Sequence, residues 1–254
     1  VGIRVNPECS TQQGHPIYDP CAPNSRLGVI KRNFRFDLLD GVEGLHFHTL
    51  CEQDADALIE KFHALEQSFG EILPRMKWLN LGGGHHITKP GYDVAALEGL
   101  IRSIQAKYGL RVYLEPGEAV ALNAGWLDTT VLDIVENGIP ILILDASAAC
   151  HMPDVLEMPY RPPLESAGEP NEKAHTCRLA ARTCLAGDVI GDYSFDTMPN
   201  IGERLTFGDM AIYSMVKTNT FNGMPLPAIA LEHANGDCEL VKAFGYQDFK
   251  GRLS

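Results

Sequence analysis

Apolar positions along the chain follow two rhythms. Up to about residue 120, short apolar runs alternate with longer stretches in which apolar residues recur every three or four positions. The runs "VGIRVNP", "GLHFHT", "WLNLG" and "LRVYLEPG" read as strands. Between them, Ala55, Leu58, Ile59, Phe62, Leu65 and Phe69 keep the spacing of one helix face, and Val94, Leu97, Ile101, Ile104 and Tyr108 repeat it. Strand and helix in alternation predict parallel pairing with crossover helices, an α/β arrangement. Each strand ends in chemically loaded residues: His46 and His48, then Gly82 to Gly84, then Glu115 with Pro116 and Gly117. In a βα barrel the carboxyl ends of the strands carry the site.

Beyond that point the rhythm changes. "AVALNAGWLDTTVLDIV", "IPILILDAS", "RTCLAGDVIGDYSF", "RLTFGDMAIYSM" and "PAIALEH" are β-rich runs broken by Gly, Pro and Asn-Gly. They predict an antiparallel β domain over 121–254, following an α/β domain over 1–120. The stretch from Arg161 to His175 reads as a polar surface loop.

Composition narrows the function. With 254 residues, 45% hydrophobic and 21% charged, the chain can bury one large core or two smaller ones. A net charge of −12 argues against nucleic acid and would suit a cationic substrate. No apolar run is long enough to cross a bilayer, and no signal sequence opens the chain. Seven cysteines, an odd number without CxxC pairs, fit a reducing cytoplasm better than a disulfide scaffold or a zinc knuckle.

Four clusters carry candidate chemistry. Three glycines at a strand end let backbone N–H groups approach a phosphate, although a plain turn would also use them. His46 and His48, at i and i+2, share a strand face, where they could hold a metal, lie against a bound ring, or be hydrogen-bonded in the interior. Glu115 at the end of an apolar strand needs a cationic partner, whether a ring N–H⁺, a metal or an Arg. Cys184, four residues before Asp188, is a small buried hydrophobe or a proton donor.

In order, "GLHFHTLC", "LNLGGGHH", "LEPGEA", "RTCLAGD" and "TNTFNG" resemble the fold-type III pyridoxal-phosphate (PLP) decarboxylases. "HMPDVLEMPYRPPL" and "MVKTNTFNGMPLP" are similar to the branch acting on carboxynorspermidine and carboxyspermidine. The resemblance implies a TIM-like α/β barrel plus a carboxy-terminal β domain, a PLP cofactor, and a homodimer with shared sites. It implies that the Gly82, Gly83 and Gly84 amides hold the cofactor phosphate, with Gly117 beside them. His48 would stack on the pyridine ring, and Glu115 would keep the ring nitrogen protonated. Cys184 would enter the partner's site and return a proton to the substrate Cα, with Asp188 close by as a substrate-binding residue. Where many relatives carry an arginine after Glu-Pro-Gly, this chain has Glu118, and Cys51 stands where a serine is common. Glu118, Asp154 and Glu157 are therefore expected to meet substrate amines. The family's Schiff-base lysine has no counterpart, because Lys31, Lys61, Lys77 and Lys89 lack the matching context. It is expected upstream, so that the chain begins partway round the barrel. The rival readings are a metal-dependent barrel hydrolase using His46, His48 and Asp145, and a PLP-binding relative without decarboxylase activity.

Overall fold

All four strands expected in the first 120 residues occur in the computed structural model, which describes residues 1–14 and 16–253. They are β1 (Gly2–Asn6), β3 (Gly44–His46), β4 (Trp78–Asn80) and β5 (Arg111–Tyr113), joined by an edge strand β2 (Val29–Ile30) too short to show a period. The sheet runs β2-β1-β3-β4-β5, and every neighbouring pair is parallel. The two helices cover the two stretches with helical spacing: α1 is Ala55–Phe69 and α2 is Val94–Tyr108. Asp93 starts α2 by accepting the Ala96 N–H at 2.9 Å, and Gly109, at φ 68°, stops it in the left-handed region.

The helices lie on the sheet because their apolar faces have nowhere else to go. Leu45, Phe47, Leu79 and Leu81 from the strands and their extensions are fully buried with Leu58, Leu65 and Phe69 of α1. Each such side chain contributes about 1.5 to 3 kcal/mol when removed from water. The ladder continues past the named strands. Phe47 N–H donates to Asn80 O at 3.0 Å, Leu81 N–H to Tyr113 O at 2.9 Å, and Glu115 N–H to Gly82 O at 2.8 Å. Strand ends carrying His48, the glycine triplet and Glu115 are thereby bonded side by side. A short helix α3 (Gly117–Ala121) closes this first compact unit, Val1–Leu122.

The second unit, Asn123–Ser254, is built on a five-stranded sheet in the order β10-β6-β7-β8-β9. Its strands are β6 (Leu127–Asn137), β7 (Ile139–Leu144), β8 (His175–Ala181), β9 (Val189–Phe195) and β10 (Arg204–Phe207). The expectation of a purely antiparallel domain is corrected at one place, since β7 and β8 pair in parallel. The connection between them is long and includes α4 (Ala148–His151) and α5 (Asp154–Glu157), which is what parallel strands require. Helices of four residues leave no period in a sequence. Val131, Leu142, Leu144, Leu179 and Phe207 form a core separate from that of the first unit. A hairpin of β11 (Ile229–Glu232) and β12 (Cys238–Lys242), then α6 (Tyr246–Leu253), follow. No helix among the described residues is long and apolar enough to cross a membrane.

Candidate active site

At the carboxyl edge of the parallel sheet, one chain of contacts links β1, β3, β4 and β5. Asn80, the last residue of β4, donates its Nδ2–H to Glu115 Oε1 at 2.8 Å and accepts the Gly82 N–H on Oδ1 at 2.8 Å. Glu115 Oε2 lies 3.6 Å from His46 Nε2. His48 Nδ1 accepts the Gly83 N–H at 3.0 Å, so a neutral His48 ring carries its proton on Nε2. Arg4 of β1 donates from Nη2 to His48 O at 3.1 Å, while its Nε is buried without an acceptor. His85 Nε2 donates to Gly82 O at 2.8 Å.

The triplet is more than an exposed cradle. Gly82 and Gly84 sit at φ 72° and 78°, and a Cβ on either would strike the backbone of the 47–51 segment at 2.7 Å or less. A Cβ on Gly83 would stand 2.3 Å from Glu115 O. The glycines therefore let three strand ends close on one another. Two of the three amides are engaged within the chain, Gly82 by Asn80 and Gly83 by His48. Among the described residues no acceptor takes the Gly84 N–H. Open space lies beside Gly117, where a Cβ would meet nothing within 4 Å.

Burial depresses the basicity of His46, His48 and His85, with Arg4 adding to the effect on the first two and Glu115 opposing it. A histidine whose folded pKa lies below its unfolded value supports the fold above the unfolded pKa, about 6.5. Below it, the unfolded chain takes up protons that the fold resists, so stability falls with pH. Each such group removes up to about 1.4 kcal/mol per pH unit between its two pKa values. We expect the urea midpoint of the first unit, followed by Trp78 fluorescence in a Trp126→Phe background, to drop between pH 7 and 5. A flat midpoint over that range would show that these imidazoles take up protons in the fold without penalty.

Glu118, in the first turn of α3, does not stand free for an incoming amine: its Oε2 lies 3.3 Å from His86 Nε2, with Glu52 adjacent. Burial, then the Glu52 charge, push its carboxyl above the usual range, and His86 opposes them. The lysines without a matching motif are all engaged. Lys31 pairs with Glu71, Lys77 with Glu43, Lys89 with Asp54, and buried Lys61 donates to Cys9 O at 2.6 Å.

In the second unit, "RTCLAGD", "DASAACHM" and "TNTFNG" come together. Cys184 is exposed on the β8–β9 turn, and its N–H donates to Asn222 Oδ1 at 2.8 Å. Asp188, expected beside the substrate, is 3% exposed and holds that turn instead. It accepts from Ser147 Oγ at 2.7 Å, the Ala149 N–H at 3.1 Å and Thr183 Oγ1. With its oxygens so occupied, it fixes the loop that presents Cys184. Asn219 ties the remaining motif to α4 by donating from Nδ2 to Ala149 O at 2.8 Å. Asp154 and Glu157, also expected to meet substrate amines, both hold the Lys217 ammonium, Glu157 at 3.2 Å. Their charge has a cation already.

Metal chemistry through His46, His48 and Asp145 finds no support here. His48 Nδ1 is occupied by an amide, and Asp145 accepts from Thr129 Oγ1 and the Thr130 N–H. The group of ligand atoms that does converge among the described residues is Glu52, His86 and Glu118. The sequence reading passed over Asn80, Arg4, Glu52 and His86. Asn80 and Arg4 carried a signal, as polar residues inside otherwise apolar strands. Glu52 and His86 carried none, because only the parallel register brings their loops together.

A parallel sheet whose carboxyl edge gathers a fixed carboxylate, neutral imidazoles and a glycine turn defines a cofactor-dependent α/β enzyme. The comparisons give that class its family. A family profile described as "Pyridoxal-dependent decarboxylase, C-terminal sheet domain" matches residues 16–211. The chain is 43% identical, over 99% of its length and 69% of the relative's, to the carboxynorspermidine/carboxyspermidine decarboxylase of Campylobacter jejuni. It is 44% identical, over 99% of its length and 65% of the relative's, to the carboxyaminopropylagmatine decarboxylase of Synechocystis. A crystal structure of carboxynorspermidine decarboxylase complexed with norspermidine, from Campylobacter jejuni, superposes with a TM-score of 0.88 at 41% identity, covering 99% of this chain and 68% of that one. This chain belongs to the pyridoxal-dependent decarboxylase family. It spans about two thirds of the length of these relatives.

The site fits the family's cofactor. A phosphate ester of a protonated pyridine calls for an anion opposite the ring nitrogen, a neutral ring and free N–H donors. Glu115, His48 and the untaken Gly84 amide would supply that set.

Proposed function

We propose that this chain carries the cofactor site of a PLP-dependent decarboxylase that converts carboxynorspermidine or carboxyspermidine to norspermidine or spermidine. The 43% identity over 99% of the chain to a curated enzyme of that name carries the reading. In this reading the five-stranded parallel sheet is an arc of a barrel, and residues 121–254 complete the site of a second copy and a dimer interface.

When bound, PLP serves as the electron sink for loss of CO₂ from the substrate Cα. The chain's residues do the rest. Glu115, held by Asn80, keeps a negative charge against the ring nitrogen and so keeps it protonated. His48, locked by the Gly83 N–H, offers a neutral ring for the pyridine to lie on. The Gly84 amide and the backbone at Gly117 take the phosphate. Cys184, exposed on its own turn and braced by Asp188, would give its thiol proton to the substrate Cα in the site of a second copy.

The test is visible absorbance of bound PLP, with CO₂ release from carboxynorspermidine, carboxyspermidine, carboxyaminopropylagmatine, ornithine and diaminopimelate. The expected result is turnover of the first two well above ornithine and diaminopimelate. A preference for carboxyaminopropylagmatine would move the chain to the activity named for its Synechocystis relative. Efficient turnover of ornithine would end the substrate assignment, and absence of retained PLP would end the cofactor role.

A further inference from the structure

Three successive strand ends deliver one ligand atom each to a single point outside the residues assigned to the cofactor. Glu52 lies in the loop after β3, His86 in the loop after β4, and Glu118 follows β5. Their ligand atoms all lie within 4.8 Å of one another. His86 Nε2 is shut off from water and has no hydrogen-bond partner, because Glu118 Oε2 approaches it at 3.3 Å without hydrogen-bonding geometry. Among the described residues no Lys or Arg forms an ion pair with either carboxylate. Two carboxylates and an imidazole this close together need a proton or a cation between them.

The separation of the closest pair favours one kind of cation. Metal bonds of about 2.0–2.2 Å place tetrahedral ligands roughly 3.4 Å apart. An ammonium donating hydrogen bonds of about 2.8–2.9 Å would hold its acceptors roughly 4.6 Å apart. The 3.3 Å between His86 Nε2 and Glu118 Oε2 matches the first. We propose that Glu52, His86 and Glu118 form a site for a divalent transition metal, with water completing its coordination. The proposal stands apart from the substrate assignment, and it gives Glu118 a role other than meeting a substrate amine.

The probe is Zn²⁺, titrated calorimetrically into the whole chain after chelator treatment, with retained PLP measured by absorbance alongside. One Zn²⁺ per chain is expected. Loss of an outer-shell partner alone lowers metal affinity by about 10- to 100-fold, so Glu52→Gln, His86→Gln and Glu118→Gln should each weaken binding by at least about 100-fold. Glu52 is exposed, so Glu52→Gln tests the site even if a change at either deeper residue unfolds the chain. Binding that none of the three changes weakens would overturn the proposal, as would the absence of a stoichiometric site. So would norspermidine binding that Glu52→Gln weakens while Zn²⁺ does not bind, since the cluster would then be an ammonium site.

Discussion

Gly83→Ala should destabilise the first unit by about 3 kcal/mol or more and abolish PLP retention. The new Cβ would sit 2.3 Å from Glu115 O, a contact no real side chain makes. The obstacle is backbone, and that backbone is pinned: Glu115 O accepts the Gly117 N–H and Glu115 N–H donates to Gly82 O, both at 2.8 Å. Relief would have to break the ladder that aligns the strand ends. Overpacking against side chains that can yield costs about 1 to 3 kcal/mol, and here nothing can yield. Gly117→Ala is the matched control, because its Cβ meets nothing within 4 Å and its position is helical. Alanine in place of a helical glycine favours folding by roughly 0.5 to 1 kcal/mol. Urea denaturation of both variants should separate them by several kcal/mol. Equal midpoints would mean that the strand ends do not close on the triplet.

That pair of glycines shows how far the sequence could be read. Three glycines at a strand end announced a close approach, and the approach is present. What the sequence could not show is that the triplet's nearest neighbours are Glu115 O and the 47–51 backbone, which come near only through the parallel register. α1 and α2 were legible because fifteen residues give each apolar face several repeats. α4 and α5 have four residues each, and β2 has two, so periodicity had nothing to act on. The parallel pairing of β7 and β8 was hidden for a related reason: a parallel strand with one buried face looks the same in sequence as an antiparallel one. For charged residues the obstacle was different. Asp188, Asp154 and Glu157 were chosen as carboxylates near telling motifs, yet they are held by Ser147 and Lys217, which are distant in sequence. A carboxylate's type says that it needs a donor; only the fold says which.

Glu115→Gln carries the largest expected loss of activity. Asn80 Nδ2–H would still find an oxygen on the introduced amide, at the position where it now donates to Oε1 at 2.8 Å. The amide NH₂ would face His46 Nε2, and a neutral imidazole, which burial favours, can accept its hydrogen bond there. Half of the Glu115 side chain is exposed, so the swap leaves no buried charge unpaired. Folding stability should therefore change by less than about 0.5 kcal/mol, as for a surface substitution. Catalysis should not be spared. A fixed charge acting on charge that develops in the transition state is worth about 3 to 4 kcal/mol, a factor of about 10²–10³ in turnover. An amide cannot hold a ring nitrogen protonated, while the phosphate contacts proposed to retain PLP lie elsewhere, at Gly84 and Gly117. The expected pattern is a fall in kcat of that size, with PLP still bound and KM for carboxynorspermidine within a fewfold of wild type. Steady-state kinetics beside a PLP absorbance spectrum would read all three quantities. Lost PLP with unchanged kcat per bound cofactor would make Glu115 a binding residue only, and wild-type turnover would remove it from the chemistry.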